Sequence, residues 1–169
     1  MKGAYRMRNN QKGMTLVEII IVIALIGILA GSSVVLIGHI GYANTKKTVE
    51  SIDVSLDKLQ STAMSKKEKQ YLYIYKRDDG YYMKQLSEKL DVLDSTKLDG
   101  NGTKISGKDT EIHIDSPSGT IVESDTIIRI KYTRSGVFDT DTNVNGIVIE
   151  GKGSYTITLV KETGKHPIS

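Results

Sequence analysis

The sequence predicts an α+β fold: a long N-terminal α-helix over about residues 14–67, packed on a C-terminal antiparallel β-sheet domain. Three observations predict it. From Ile19 to Gly38 the chain runs twenty residues without a charge, long enough to cross a hydrocarbon core of about 30 Å at about 1.5 Å per helical residue. Beyond that run Val49, Ile52, Leu56, Leu59 and Ala63 recur at steps of three and four, with Glu50, Asp53, Asp57 and Lys58 on other faces. That is the spacing of one apolar helical stripe. From Tyr71 the period changes to two, Tyr71, Tyr73 and Tyr75 alternating with Leu72, Ile74 and Lys76, as on a pleated strand.

Composition bounds the rest. With 169 residues, 38% apolar content, one Phe and no Trp, the chain can bury one modest core. One globular domain plus a helical anchor is expected. The formal charge of +3 misleads, because Lys2, Arg6, Arg8 and Lys12 all precede the apolar run with no acid among them. Residues 14–169 carry 19 basic and 20 acidic side chains, so that part is no polybasic nucleic-acid binder by bulk charge. Basic flanks stay cytoplasmic, which places the body on the outer side of the membrane. There is no cysteine, hence no disulfide, thiolate zinc site or cysteine nucleophile.

Taken in order, residues 1–13 read as a cytoplasmic leader rather than structure. An ordinary secretory signal cut near Ala30-Gly31-Ser32 is the alternative, but such an apolar region spans about 7–15 residues and lacks an acid at its start. Here Glu18 stands directly against the run, where a charge costs roughly 2.5–3.5 kcal/mol on insertion scales. An uncut single-span anchor is the other alternative. The helix has no proline between Thr15 and Lys67, so it continues past Gly38 and Gly41, and Ser65 to Lys69 reads as its solvated end. Arg77-Asp78-Asp79-Gly80 turns one hairpin, with Tyr81 to Leu86 returning. The tyrosine stripe suits cross-strand aromatic packing, with sugar or base stacking as the alternative.

Ser87 to Lys108 is a polar excursion with one short element around Leu90 to Leu93. Glu111 to Asp115 and Thr126 to Thr133 read as strands separated by the turn Ser116 to Gly119. Ile147 to Glu150 and Ser154 to Val160 form a hairpin across Gly151-Lys152-Gly153, and Lys161 to Ser169 reads as a polar tail.

Chemistry is sparse. His39, His113 and His166 are scattered, and no serine sits in a nucleophile-elbow pattern, so the reading is of a non-enzyme without a cofactor. One string resembles a metal loop. Asp139, Asp141, Asn143 and Asn145, alternating before Gly146, resemble the oxygen ligands of a calcium loop. Position twelve from Asp141 is Lys152 rather than glutamate, however, and a plain connecting loop with an Asn-Gly turn is preferred.

The segment Lys12-Gly13-Met14-Thr15-Leu16-Val17-Glu18, with its apolar continuation, resembles the class III signal of type IV prepilins and pseudopilins. That resemblance implies a pilin-like fold and cleavage by prepilin peptidase between Gly13 and Met14. It implies N-methylation of Met14, and a role for Glu18 in assembly. Two departures stand out: Met14 replaces the usual Phe, and the mid-helix proline of major pilins is missing. The later residues Tyr132-Thr133-Arg134-Ser135-Gly136, the hairpin Gly146 to Thr158, and Thr163-Gly164-Lys165 are similar to those of H-type minor pseudopilins.

By this resemblance 1–13 is a cleaved leader and 14–38 the transmembrane and filament-core half of the helix. Residues 39–68 are then its amphipathic half, and 69–169 a globular β-rich domain. The expected function is a structural subunit, a minor pilin or pseudopilin, of a filament for type II secretion, DNA uptake (competence) or surface attachment. Expected partners are prepilin peptidase, other pilin or pseudopilin subunits, inner-membrane assembly machinery, and membrane lipid before assembly. The expected location is the cytoplasmic membrane in a single pass with the N-terminus inside, then an extracytoplasmic filament or the cell surface. The alternative is a helix-tethered surface module binding an adhesive ligand or DNA, the latter through Gly164-Lys165-His166. Salt-dependent DNA binding needs several phosphate contacts, and few other basic residues lie near that triplet.

Overall fold

The computed structural model describes residues 15–65, 68–90, 98, 102–115, 121–122 and 127–169, leaving aside the side chains of 32–40 and 121–122. The chain forms two compact units, Met1–Gly38 and His39–Ser169. One helix, α1 (Leu16–Ser65), runs through 50 residues, and the strands that follow make the fold α+β with antiparallel pairing throughout. Positions 14, 66 and 67 of the expected helix lie outside the described residues. No proline interrupts α1, and its glycines cost only about 1 kcal/mol each relative to alanine.

In the second unit the stripe Val49, Ile52, Leu56, Leu59 and Ala63 is buried throughout, with no member more than 7% exposed. Among the described residues eight strands follow: β1 (Tyr71–Arg77), β2 (Gly80–Leu86), β3 (Thr103–Lys104), β4 (Glu111–Asp115), β5 (Ile121–Val122), β6 (Ile128–Lys131), β7 (Gly146–Glu150) and β8 (Ser154–Thr158). They make two four-stranded sheets, β3-β2-β1-β6 and β5-β4-β7-β8, where the sequence suggests a single one. Strand pattern alone does not say which strands pair. Here β6 returns to β1 with Tyr71 opposite Lys131, whereas β4 pairs with β7, Glu111 opposite Glu150.

One core joins the three layers. The helix stripe packs with Leu72, Ile74 and Ile130 of the first sheet and with Ile112, Ile147, Ile149 and Ile157 of the second. Burying each such side chain stabilises by about 1.5–3 kcal/mol. Strand β1 is buried on its other face too, where Tyr71, Tyr73 and Tyr75 cluster with Leu90, Leu98 and Ile127. Their hydroxyls are used internally: Tyr73 donates to Glu88 O at 3.2 Å and Tyr75 to Leu98 O at 2.9 Å. The tyrosine stripe therefore builds a second small core and leaves no rings free for a sugar or base. Of the short element expected at Leu90 to Leu93, Leu90 is buried and the rest lies outside the described residues, as does the turn expected at Ser116 to Gly119.

The last residues are not a loose polar tail. Val160 bridges Lys165 and Ile157 bridges Ile168, Thr156 and Ser169 exchange amide bonds at 2.8 and 3.0 Å, and Thr158 N donates to Pro167 O at 3.1 Å. The chain end thus covers the edge that β8 would otherwise present. The polar composition of 161–169 hides this, because the bonds are made by backbone.

Gly151 and Gly164 are each required by close approach. Gly151, at the tip of the β7–β8 hairpin, lies so near α1 that a Cβ there would land on Thr45 Oγ1. Gly164 turns the chain back onto β8 with φ +70°, and a Cβ there would land on the Gly136 carbonyl. We expect Gly164→Ala to destabilise residues 39–169 by about 2 kcal/mol or more, since a left-handed conformation and a backbone clash add. Gly107, whose Cβ would meet open space, is the control, and Gly107→Ala should stay within about 0.5 kcal/mol. Urea unfolding of the two variants compares them directly; equal midpoints would contradict the constraint at Gly164.

Candidate functional site

The first turn of α1 is closed by a reciprocal pair. Thr15 precedes the helix, its amide donating to Glu18 Oε2 at 3.3 Å, while the Glu18 amide donates to Thr15 Oγ1 at 3.3 Å. This is a capping box, in which an N-cap hydroxyl and an acid three residues later satisfy two otherwise unpaired helix amides. A carboxylate there also meets the positive end of the helix dipole. The expectation for Glu18 rested on its position against an apolar run and missed this pairing. Thr15-x-x-Glu18 was the visible signal. Gly13 and Met14 lie outside the described residues.

Behind the cap the helix is apolar on every side. Leu16, Val17, Ile19 to Ile23, Leu25, Ile26, Ile28 and Leu29 are each between 43 and 75% exposed. A helix apolar all round belongs in lipid or in a packed assembly, and an apolar exposed surface of this extent marks an interaction site. Among the described residues no helix is long and apolar enough to cross a membrane. The span expected at Ile19 to Gly38 includes positions 32–38, whose side chains lie outside the description.

The candidate calcium residues do other work. Lys131 Nζ sits 3.0 Å from Asp139 Oδ2 and 3.1 Å from Asp141 Oδ2, and Lys89 also pairs with Asp141. Asn143 Oδ1 accepts the Arg129 amide at 2.8 Å and its Nδ2 donates to Ile127 O at 2.9 Å. Asn145 Oδ1 is buried and accepts no bond. The loop's carboxylates thus already hold two ammonium groups, Lys131 of β6 and Lys89, which calcium would have to displace. Among the described residues no group of three His, Asp or Glu side chains is placed to hold a metal. Hydrogen bonds from Lys89 and then Lys131 hold the Asp141 carboxyl well below the usual range, against some burial. Burial pushes Asp139 up, but the Asp141 amide and Lys131 outweigh it and leave that carboxyl lowered.

A second polar cluster ties the chain end to the helix. His166 Nε2 lies 3.4 Å from Asp53 Oδ1 and 3.3 Å from Asp57 Oδ1, and Nδ1 lies 3.2 Å from the Tyr132 hydroxyl. Gln60 Nε2 donates to Gly136 O at 2.6 Å and to Gly164 O at 3.4 Å. Burial, followed by the charges of Asp57 and Asp53, pushes the Tyr132 hydroxyl upward. Asp53, Asp57 and Gln60 share a helix face by their spacing of four and three, which is legible in sequence; their partners are not. Tyr132, Gly136 and Gly164, distant in sequence, meet here. His166 is mostly buried in this clasp, leaving Lys165 as the exposed basic residue of the triplet considered for DNA. His113 faces Glu150 on the second sheet at 3.6 Å, so the histidines stay apart, and the side chain of His39 lies outside the description.

The prokaryotic N-terminal methylation motif matches residues 8–34. Those residues contain the capping box and the exposed apolar turns, and the match makes the N-terminal segment a type IV prepilin-like signal. No curated protein and no solved structure matches the chain.

The Lys131 loop also governs acid stability. Because the Asp141 carboxyl is lowered in the folded chain, its stabilisation is present above the unfolded aspartate value of about 3.9 and is lost as pH falls below it. Asp141→Asn should cost about 1–2 kcal/mol near pH 7, allowing for partial exposure. The cost should shrink as pH drops below about 4. Unfolding midpoints measured from pH 7 to pH 3 check this, and a cost that is constant with pH would contradict it.

Proposed function

We propose that this chain is a minor pilin or pseudopilin, a structural subunit of a type IV pilus-like filament, most like the H-type minor pseudopilins. The observation that carries the reading is the methylation motif at residues 8–34 on a helix whose apolar surface is exposed all round. The absence of proline between Thr15 and Lys67 supports a minor rather than a major subunit. On this reading the chain is made as a prepilin and inserted into the cytoplasmic membrane in a single pass. Its basic leader stays inside, and residues 39–169 stand outside. Type II secretion, DNA uptake and surface attachment are the activities such a filament serves.

The mechanism follows from charge. Prepilin peptidase cleaves between Gly13 and Met14, freeing a cationic amine on Met14, and methylation keeps that charge. In lipid Glu18 is costly. In a poorly hydrated helical bundle its carboxylate pairs with the Met14 amine of a neighbouring copy. Desolvation offsets much of that attraction, so the pair chiefly fixes register; removing one partner leaves an unpaired charge at a cost of about 3–5 kcal/mol if fully buried.

Glu18→Ala should therefore be processed normally yet fail to enter filaments, as read by immunoblotting of membrane and sheared-filament fractions. Normal incorporation would sink the mechanism. Gly13 replaced by a bulky residue such as Leu should accumulate uncut. Trimming at the wild-type rate would remove the peptidase step from this reading.

A further inference from the structure

The tip of the β7–β8 hairpin, Gly151-Lys152-Gly153, is pressed onto the turns of α1 that follow the apolar run. Gly41 and Tyr42 stand three and four positions after Gly38, the last residue of that run. A Cβ on Gly41 would lie 2.7 Å from Lys152 Cδ, one on Gly153 would lie 2.9 Å from Tyr42 Cε2, and one on Gly151 would land on Thr45 Oγ1. Glycine at the tip and on the helix lets the two backbones close on each other.

The surface assembled there is aromatic and basic. The Tyr42 ring, 51% exposed, lies tilted against the half-buried Tyr155 ring with centroids 6.3 Å apart. Lys152 is the charge of the tip, and Lys46 and Lys47 stand exposed on α1, with no acid between Gly38 and Glu50. The flanking carboxylates Glu50 and Glu150 face Lys46 and His113 instead of Lys47 and Lys152. Rings with a polar edge and long basic side chains are the groups that settle at the level of lipid headgroups.

We infer that Tyr42, Tyr155, Lys47 and Lys152 form a docking surface for anionic lipid headgroups, which holds the hairpin tip on the membrane surface. This rests on the membrane-inserted prepilin reading above. Chain connection and charge select the occupant. Four residues from Gly38 to Tyr42 are about 6 Å of helix, the depth of one headgroup layer. A second copy lying alongside at the same level would bring lysines against lysines, which repel.

The full-length chain in vesicles of phosphatidylcholine, alone or mixed with phosphatidylglycerol, tests this. A water-soluble amine-acylating reagent and peptide mass spectrometry report the labelling of Lys47 and Lys152 relative to Lys69, which is exposed beyond the other end of α1. In the anionic vesicles labelling of each should fall about fivefold, the attraction one lysine gains at an anionic surface, and high salt should restore it. Labelling equal in the two lipids overturns the docking surface; if it also rises as the chain is diluted in lipid, the face belongs to a second copy. Lys152→Gln keeps part of the stem over Gly41 and should raise the labelling of Lys47 in anionic vesicles; no rise removes the hairpin tip from the surface and overturns the proposal. Insertion is scored in the same vesicles. A chain stripped by alkaline carbonate overturns the membrane reading and this proposal together, whereas a carbonate-resistant chain with equal labelling overturns the proposal alone.

Discussion

The burial of one helix stripe is the constraint on which the second unit depends. Val49, Ile52, Leu56, Leu59 and Ala63 form the surface against which both sheets close. The first sheet brings Leu72, Ile74 and Ile130 to it, and the second brings Ile112, Ile147, Ile149 and Ile157. Without the helix each sheet would expose one apolar face. With no cysteine there is no disulfide to compensate, so the stripe supplies what small exported domains often obtain from cross-links. Ile52, Leu56 and Leu59 are fully buried, and losing one of them to alanine would open a cavity shared by two sheets.

Polar contacts then fix what apolar burial leaves loose. Hydrophobic packing is non-directional, and it does not decide where the chain end lies. The clasp of His166 with Asp53, Asp57 and Tyr132, and of Gln60 with Gly136 and Gly164, does decide it. Lys131 plays the same part for the loop from Asp139 to Asn145, drawing it onto β6. The carboxylates of both clusters are partly buried and meet partners within the fold, the condition under which such groups are tolerated.

Local pattern made the elements legible in the sequence, and pairing across distance was not. The helix stripe, the tyrosine hairpin, strand β4 and the β7–β8 hairpin all follow from periods of 3.6 or 2 with turn residues at their ends. The division into two sheets does not, because β6 and β4 present similar alternations and the pairing choice depends on loop paths. The role of 165–169 was hidden for another reason: backbone amides bind β8 whatever the side chains. The calcium-like string was legible too, but not the partners of its oxygens, Lys131 and the Arg129 amide of β6. At the candidate site the apolar run and its acid are plain in the sequence, and Thr15 three residues before Glu18 has the spacing of a capping box.

The capping box alters the energetics of Glu18. An acid at the head of an apolar helix suggests an unsatisfied charge waiting for a partner. The capping box shows that the carboxylate already has a donor in its own first turn, together with the favourable end of the dipole. On the proposed reading, the cost of holding it near lipid is therefore smaller than that of an isolated charge. On the proposed reading a neighbour's amine would not have to rescue an unbonded ion; it would add a second, charge-assisted bond. In that proposal the added bond distinguishes the assembled from the unassembled chain, while the helix cap is common to both.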